Sequence, residues 1–217
     1  MDTENFEIEV ANKAKTNRVT AVDVNVGHFN YTAGQINTLP KRLNHLYQRI
    51  KYYQKSLAKK RTVNGKRATK SNNYVKTRAK LQRDYRKVAN IQHDIMQKFT
   101  TQLVEEYDKI VIEDLAVKEM QMTHVASKGL QRSMFGYFRQ ILSYKYDWYG
   151  KDLLIADKYY PSTQRCSNCG YVKTGEEKVG LNGNLKYGTK HNEYICYECG
   201  NIMDRDENAV LNLLALI

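Results

Sequence analysis

Four cysteines and a few acids are the residues of this sequence whose types and spacing could do chemistry. Cys166-x2-Cys169 and Cys196-x2-Cys199 form two knuckles separated by 26 residues, each followed at once by a glycine, Gly170 and Gly200. A glycine there lets the backbone turn under a metal. Four thiolates in two CxxC pairs are the donor set of a structural, tetrahedral Zn2+ site with no open position for catalysis. The competing reading, a redox pair or disulfides, is weaker for four cysteines at this spacing. Zinc here would fold the segment and fix where the acidic stretch behind it begins.

The acids are scattered along the chain. Asp23 interrupts the apolar, β-branched run "AVDVNV", Glu113 closes "IVIED", and Asp204 or Asp206 opens "DRDENAVLNLLALI". A carboxylate in the middle of a strand is disfavoured, and costly if buried without a partner. Each acid has an ordinary explanation: Asp23 could pair with an arginine, Glu113 could be a surface acid at a strand end, and the acid of the terminal segment could stabilise a helix N-terminus. Taken together, carboxylates delivered by two strands and a helix can converge on hard cations such as Mg2+ or Mn2+, which take oxygen ligands. Two such ions about 4 Å apart activate a water and stabilise the leaving oxygen of a phosphodiester. That is nuclease chemistry.

The elements that must position these residues are legible in the pattern. "RVTAVDVNV" (18–26) predicts a strand, and "HFNYTAGQINTL" two more that turn at Ala33-Gly34. Pro40 opens a helix with Leu43, Leu46, Tyr47, Ile50, Tyr53 and Leu57 at helical spacing, and a second helix carries Leu81, Tyr85, Val88, Ile91, Ile95, Phe99 and Leu103. The break between them falls in "TVNGKRATKSNN", at Asn64-Gly65 and the Ser/Asn cluster. "KIVIEDLAV" predicts a strand; Leu130, Met134, Phe138, Ile141, Leu142 and Trp148 a helix; "DLLIADKYY" a last strand. A meander followed by alternating helices and strands predicts an α/β fold, a mixed sheet covered by helices.

Charge is concentrated in the helical pair. Residues 41–100 hold 18 of the 35 Lys and Arg but only two acids, Asp84 and Asp94, so this stretch is +16 and the remainder −4 within a net charge of +12. A solvated helix face mixes both signs; a nearly acid-free pair of helices fits phosphate contact, with Lys51, Lys55, Lys59, Lys60 and Arg61 as candidate nucleic-acid ligands. No apolar run reaches the roughly 18 residues that span a bilayer, and "MDTENFEIEV" lacks the basic start and apolar middle of a signal peptide. The sequence thus predicts a soluble, cytoplasmic protein without a membrane partner.

Four segments in order, "VDVNV", "IVIEDLAVKEM", "SYKYDWYGKDLLIADKYYPSTQRCSNCG" and "YICYECGNIMDRDENAVLNLL", resemble the split RuvC-like nuclease and zinc ribbon of transposon-encoded TnpB proteins, to which type V CRISPR effectors are similar. The resemblance covers residues 18–217. It implies an RNase H-like fold, cleavage of DNA, and an acidic triad on divalent metal made of Asp23, Glu113 and Asp206, with Asp204 as the alternative third acid. The expected layout is a polar lead-in (1–17), a nuclease core (18–163 and 201–217) holding the basic hairpin (41–107), and an inserted zinc ribbon (164–200). Two departures stand out. Asn25 sits where the family usually has a glycine two residues after the first acid, and the family's additional N-terminal half, which helps hold guide RNA and target duplex, has no counterpart before Asp23. The sequence is therefore read either as a fragment or as a natural minimal nuclease that finds DNA by its structure or through a partner rather than by a bound guide; DNA is the expected partner, with a guide RNA or a partner protein as further candidates. The alternative functions are a nucleic-acid-binding regulator of the same fold without efficient cleavage, and a branched-DNA resolving nuclease, which would need a symmetric homodimer to cut paired strands.

Overall fold

The computed structural model describes residues 15–63, 66–67, 71–115, 134–180 and 182–217, with the side chains of 61–63 and 66–67 excepted. The chain divides into two units, one made of the residues up to Asn37 and from Phe99 to Ile217, the other of Thr38–Lys98. No helix among the described residues is long and apolar enough to cross a membrane.

The first unit is built on a five-stranded mixed sheet. Its strands are β1 (Val19–Asn25), β2 (His28–Tyr31), β3 (Gly34–Asn37), β6 (Lys109–Glu113) and β7 (Asp152–Ala156), in the order β3-β2-β1-β6-β7. The meander β1-β2-β3 is antiparallel, whereas β6 lies parallel to β1 and β7 parallel to β6. The expected strands and the mixed sheet are both present. The expected turn at Ala33-Gly34 is present, with Gly34 at a φ of 144°, and Gly27 between β1 and β2 likewise takes a positive φ of 97°, where side-chain-bearing residues would be strained.

The sheet has two differently furnished faces, as period-2 alternation requires. On one side Phe29 packs against Phe99, Phe135 and Phe138 at ring-centroid distances of 6.2, 5.9 and 4.9 Å. Phe99 belongs to the end of the long helix α2 (Asn72–Glu106), Phe135 and Phe138 to α3 (Phe135–Trp148). On the other side the small residues Ala21, Val111 and Ala156 leave room for α4 (Arg205–Leu214), which docks through Val210 and Leu213. Burying two such side chains contributes about 2 kcal/mol each. The carboxyl end of α2 is stitched down from afar: Lys151 Nζ donates to the Val104 and Tyr107 carbonyls and pairs with Asp108 at 2.8 Å. A cation there satisfies otherwise orphaned carbonyls.

In the second unit, α1 (Lys41–Arg61) and α2 share a core of Leu43, Leu46, Ile50 and Val88, flanked by Leu39, Tyr47, Leu81 and Ile91. One ion pair fixes their register: Arg49 reaches the fully buried Asp84 through both Nε and Nη2 at 3.1 Å. Between the helices, β4 (Thr62–Val63) and β5 (Lys66–Arg67) pair around Asn64-Gly65, which with residues 68–70 lies outside the described residues. Tyr85 differs from the expected core position. It is 45% exposed and its hydroxyl accepts from Gln54 Nε2 at 2.6 Å, because the phenol needs a polar partner that the interior of the pair does not offer.

Helix α3 corrects a second expectation. Its buried face runs Phe135, Phe138, Ile141, Leu142, Lys145 and Tyr146, a spacing that excludes Trp148, and Trp148 is 62% exposed with Tyr144 edge-on to it. Lys145 hides in that face by donating to Thr100 and Thr101 hydroxyls at 2.8 Å. The expected Leu130 position lies outside the described residues.

Candidate active site and metal centre

The parallel register of β1 and β6 brings the first two acids level. Val22 is paired with Ile112, so one step on Asp23 and Glu113 emerge side by side on adjacent strands. They lie on the α4 face, two residues beyond Ala21 and Val111. The carboxyl ends of parallel strands are where open α/β sheets present ligand-binding groups. Asp23 is 4% exposed, and its hydrogen-bond donor is Asn25 Nδ2 at 2.6 Å. Burial first, then the Glu113 and Asp206 charges, lift Asp23 to about 8, against the pull of the Asn25 amide and of Arg205. Burial also raises Glu113 above the ordinary carboxylate range, with the Ser162 hydroxyl, which donates to Glu113 Oε1, pulling the other way.

Helix α4 and its N-cap carry both candidates for the third acid, and the two have different surroundings. Asp204 is the helix N-cap: its Oδ1 accepts from the backbone N–H of Asp206 at 2.9 Å and of Glu207 at 3.2 Å. This is the ordinary work of an aspartate at that position. Asp206 instead reaches back to the sheet, where its Oδ2 accepts from Asn30 Nδ2 at 2.9 Å and lies 3.1 Å from His28 Nε2. Asn30 is the cross-strand partner of Asp23, and Gln35, opposite Asn30 on β3, donates to Asn30 Oδ1 at 2.9 Å. A polar row thus crosses three strands at one level, from Asp23 through Asn30 to Gln35. A groove of about 750 Å3 lined by Asn30, Gln35, Asp206 and Leu211 runs alongside.

The three carboxylates do not form one tight cluster. Among the described residues only the four cysteines bring His, Cys, Asp or Glu donor atoms all within 4.8 Å of one another, so the three carboxylates are spread more widely. Two ions about 4 Å apart would span such a spread. Among the described residues, side-chain hydrogen bonds to these acids come from Asn25, Ser162, Asn30 and His28. Apart from His28 and the Arg205 charge that acts on Asp23, the cluster is met by neutral amides and a hydroxyl, which leaves negative charge that a cation could balance.

The cysteines gather as their spacing predicts, into a cluster that could hold a metal ion such as zinc. Cys166 Sγ is 3.7 Å from Cys199 Sγ and Cys169 Sγ 3.6 Å from Cys196 Sγ. Each knuckle closes in the same way: Gly170 N–H donates to the Cys166 carbonyl and Gly200 N–H to the Cys196 carbonyl, with φ of 81° and 72° at the two glycines. The donor set calls for a cation. The Asn201 N–H and the Asn168 amide pull Cys199 down to about 6, while Cys169, although it accepts from the Tyr171 N–H, is pushed up to about 12 by desolvation and by the surrounding sulfurs. Four sulfurs this close ionise together only when a metal such as zinc lies among them.

The ribbon runs directly into α4. Strands β8 (Glu193–Ile195) and β9 (Ile202–Asp204) pair, and β9 ends on the residue that caps the helix. Two asparagines of α4 then hold the approach to the first knuckle: Asn208 Nδ2 donates to the Arg165 carbonyl and its Oδ1 accepts from Ser167 N–H, while Asn212 Nδ2 donates to the Ser162 and Arg165 carbonyls. Ser162, His28, Asn30, Asn208 and Asn212 are the members of the site that the motifs did not single out. The two asparagines carry a signal of their own, since they lie four apart on the buried face of an amphipathic helix.

Of the candidate nucleic-acid ligands, Lys51, Lys55 and Lys59 are exposed on α1. Lys60 is half-buried and its Nζ donates to Thr77 Oγ1 at 2.8 Å, which commits it to joining α1 and α2. The side chain of Arg61 lies outside the described residues.

The chain is similar to known proteins in sequence and in fold. A family model described as "Probable transposase" (OrfB_IS605) matches residues 4–123, and one described as "Cas12f1-like, TNB domain" matches residues 135–213. A "Putative RNA-guided DNA endonuclease" of Streptomyces pristinaespiralis is 32% identical over 159 residues, 73% of this chain and 37% of that protein. "TnpB-like protein L79" of Acanthamoeba polyphaga mimivirus is 31% identical over 175 residues, 77% of this chain and 30% of that protein. The chain therefore spans about a third of the length of these relatives. A cryo-EM structure of a Cas12f1–sgRNA–target DNA complex has the same fold over 94% of this chain and 51% of its own, with a TM-score of 0.53 at 15% identity. With the first family model covering more than half of its residues, the chain belongs to the TnpB-like family of transposon-encoded proteins.

Proposed function

We propose that this chain carries the nuclease centre of a divalent-metal-dependent DNA endonuclease, with an RNase H-like, RuvC-like core. The observation that carries the reading is geometric: Asp23 and Glu113 follow one paired register on adjacent strands, and Asp206 of α4 is hydrogen-bonded to Asn30, the cross-strand partner of Asp23. In this reading the three carboxylates hold two Mg2+ or Mn2+ ions. When bound, such ions supply an activated water and charge stabilisation for the leaving oxygen of a phosphodiester. The residues of the chain do the positioning. Asn25 and Ser162 fix the rotamers of Asp23 and Glu113, Asn30 and His28 hold Asp206, and the N-cap on Asp204 sets where Asp206 leaves the helix.

DNA is the proposed substrate and a guide RNA the proposed partner, both by analogy with the name of the Streptomyces relative and the composition of the Cas12f1 complex. The tetracysteine ribbon is proposed to hold one structural Zn2+.

The test is cleavage of labelled single-stranded, duplex and branched DNA, with Mg2+ or Mn2+ and with or without guide RNA. Asp23→Ala, Glu113→Ala and Asp206→Ala are each expected to abolish cutting, because all three share the metal pair. Asp204→Ala is expected to destabilise α4 by about 1 kcal/mol and to keep cutting. Normal cutting by Asp206→Ala with a dead Asp204→Ala would transfer the third role to Asp204. Tight binding without cutting under every condition would favour a nucleic-acid-binding regulator, for which the basic α1–α2 pair is sufficient.

A further inference from the structure

Lys173 is fully buried, and its Nζ has no hydrogen-bond partner. An ammonium in that position is expensive, and an apolar side chain would fill the same space without the penalty. Two aromatic faces hold it instead: Nζ lies 4.3 Å from the ring centroid of Tyr194 and 4.0 Å from that of Tyr197. The cage is itself fixed. Tyr194 is buried in one cluster with Cys166 and Cys196 and donates to the Gln164 carbonyl, while Tyr197 stacks on Tyr187 at 4.7 Å and its hydroxyl meets Thr189 Oγ1 at 3.1 Å. Burial pulls the Lys173 ammonium below its ordinary range, and the negative groups that oppose this are Cys196 first, then Glu177, then Cys166. Glu177 is already engaged by the Tyr171 hydroxyl at 2.5 Å.

Four thiolates around a divalent ion leave a net charge of about −2. Confined to a small ribbon, that charge must be offset by N–H donors, by water or by a cation. We propose that Lys173 is the built-in counter-cation of the tetracysteine centre, placed by the Tyr194–Tyr197 cage so that its charge acts on the sulfurs and sets how tightly the ribbon holds its metal. A lysine hydrogen-bonded to one thiolate would favour that sulfur alone. A lysine held by aromatic faces acts on the centre as a whole and takes up no cysteine lone pair itself. Surrounding groups of this kind tune metal sites strongly.

The proposal rests on the reading that the ribbon binds zinc, and one experiment separates the two. Zinc content of the purified full chain is measured, and its zinc is then titrated against a chromophoric chelator. Lys173→Met, close in volume but neutral, is expected to bind zinc on the order of tenfold or more weakly than wild type. In a Cys199→His background, where the centre carries one negative charge fewer, the same substitution should lose markedly less, which a packing defect would not do. Should Lys173→Met fail to fold, Tyr197 carries the test: Tyr197→Phe, which keeps the ring face, should hold zinc as wild type does, and Tyr197→Leu should not. Wild-type zinc affinity in Lys173→Met or in Tyr197→Leu, or equal losses in the two cysteine backgrounds, would overturn the counter-cation role while leaving the zinc site standing. Wild-type protein without zinc overturns both.

Discussion

Asp206 Oδ2 receives its partners from β2, a strand that contributes no acid of its own. Asn30 matters more than its neutral side chain suggests. It is 9% exposed, faces Asp23 across the sheet, accepts from Gln35 and donates to Asp206, so it ties the third carboxylate to the strand carrying the first. Asn30→Ala is expected to lower the cutting rate about 10- to 100-fold, a loss typical of groups that orient metal ligands, with little change in DNA affinity. A single-turnover assay at saturating DNA checks this, and an unchanged rate would reduce Asn30 to a structural filler. Asn25 raises a related point. The amide at this position takes up an oxygen of Asp23, so the departure from the family's glycine has a visible local consequence. Asn30 and Gln35 were not legible in the sequence, because asparagine and glutamine in a strand carry no pattern until the register places them beside an acid. The acids themselves were legible, since a carboxylate in "AVDVNV" contradicts its surroundings.

The helices and strands were readable wherever periodicity and punctuation agreed. Pro40 marks the start of α1, Leu43, Leu46, Ile50 and Val88 form the shared core of the hairpin, and β1, β6 and β7 follow the β-branched runs. Reading failed where a residue was assigned to a face by type alone. Tyr85 and Trp148 are aromatic but exposed, whereas Lys145 is charged but buried because two threonines receive it. The hairpin β8–β9 was invisible because three-residue strands give too few alternations. Charge was the clearest signal at this scale, and it leads to a measurable expectation. Replacing exposed Lys51, Lys55 and Lys59 by Gln should weaken DNA binding and flatten the slope of log affinity against log salt by about one unit per phosphate contact removed. The Arg49–Asp84 pair and the Lys60–Thr77 contact are untouched by these changes, so the helices should keep their circular-dichroism signal. An unchanged salt slope would make these lysines a solvated face.

Two sets of contacts hold α4, and their division decides what the zinc ribbon does for the molecule. Val210 and Leu213 anchor the helix to Ala21, Val111 and Ala156 of the sheet. The ribbon side holds its first turn: Arg205 N–H donates to the Asn192 carbonyl and its Nη1 to the Gly180 and His191 carbonyls, while Asn208 grips the chain next to Cys166. Asp206 lies in that first turn, only seven residues after Cys199. Loss of the metal would therefore leave the apolar anchor in place but release the end that aims the carboxylate, and misplacing a catalytic group by about 1 Å costs on the order of a hundredfold in rate. A Cys196→Ser/Cys199→Ser variant is expected to lack zinc, to keep most of its far-ultraviolet circular dichroism and its DNA binding, and to cut at least tenfold more slowly in a single turnover with saturating DNA. Full cutting by this variant, with metal analysis confirming that zinc is absent, would mean that Val210 and Leu213 suffice to place Asp206 and that the ribbon contributes a surface rather than a position.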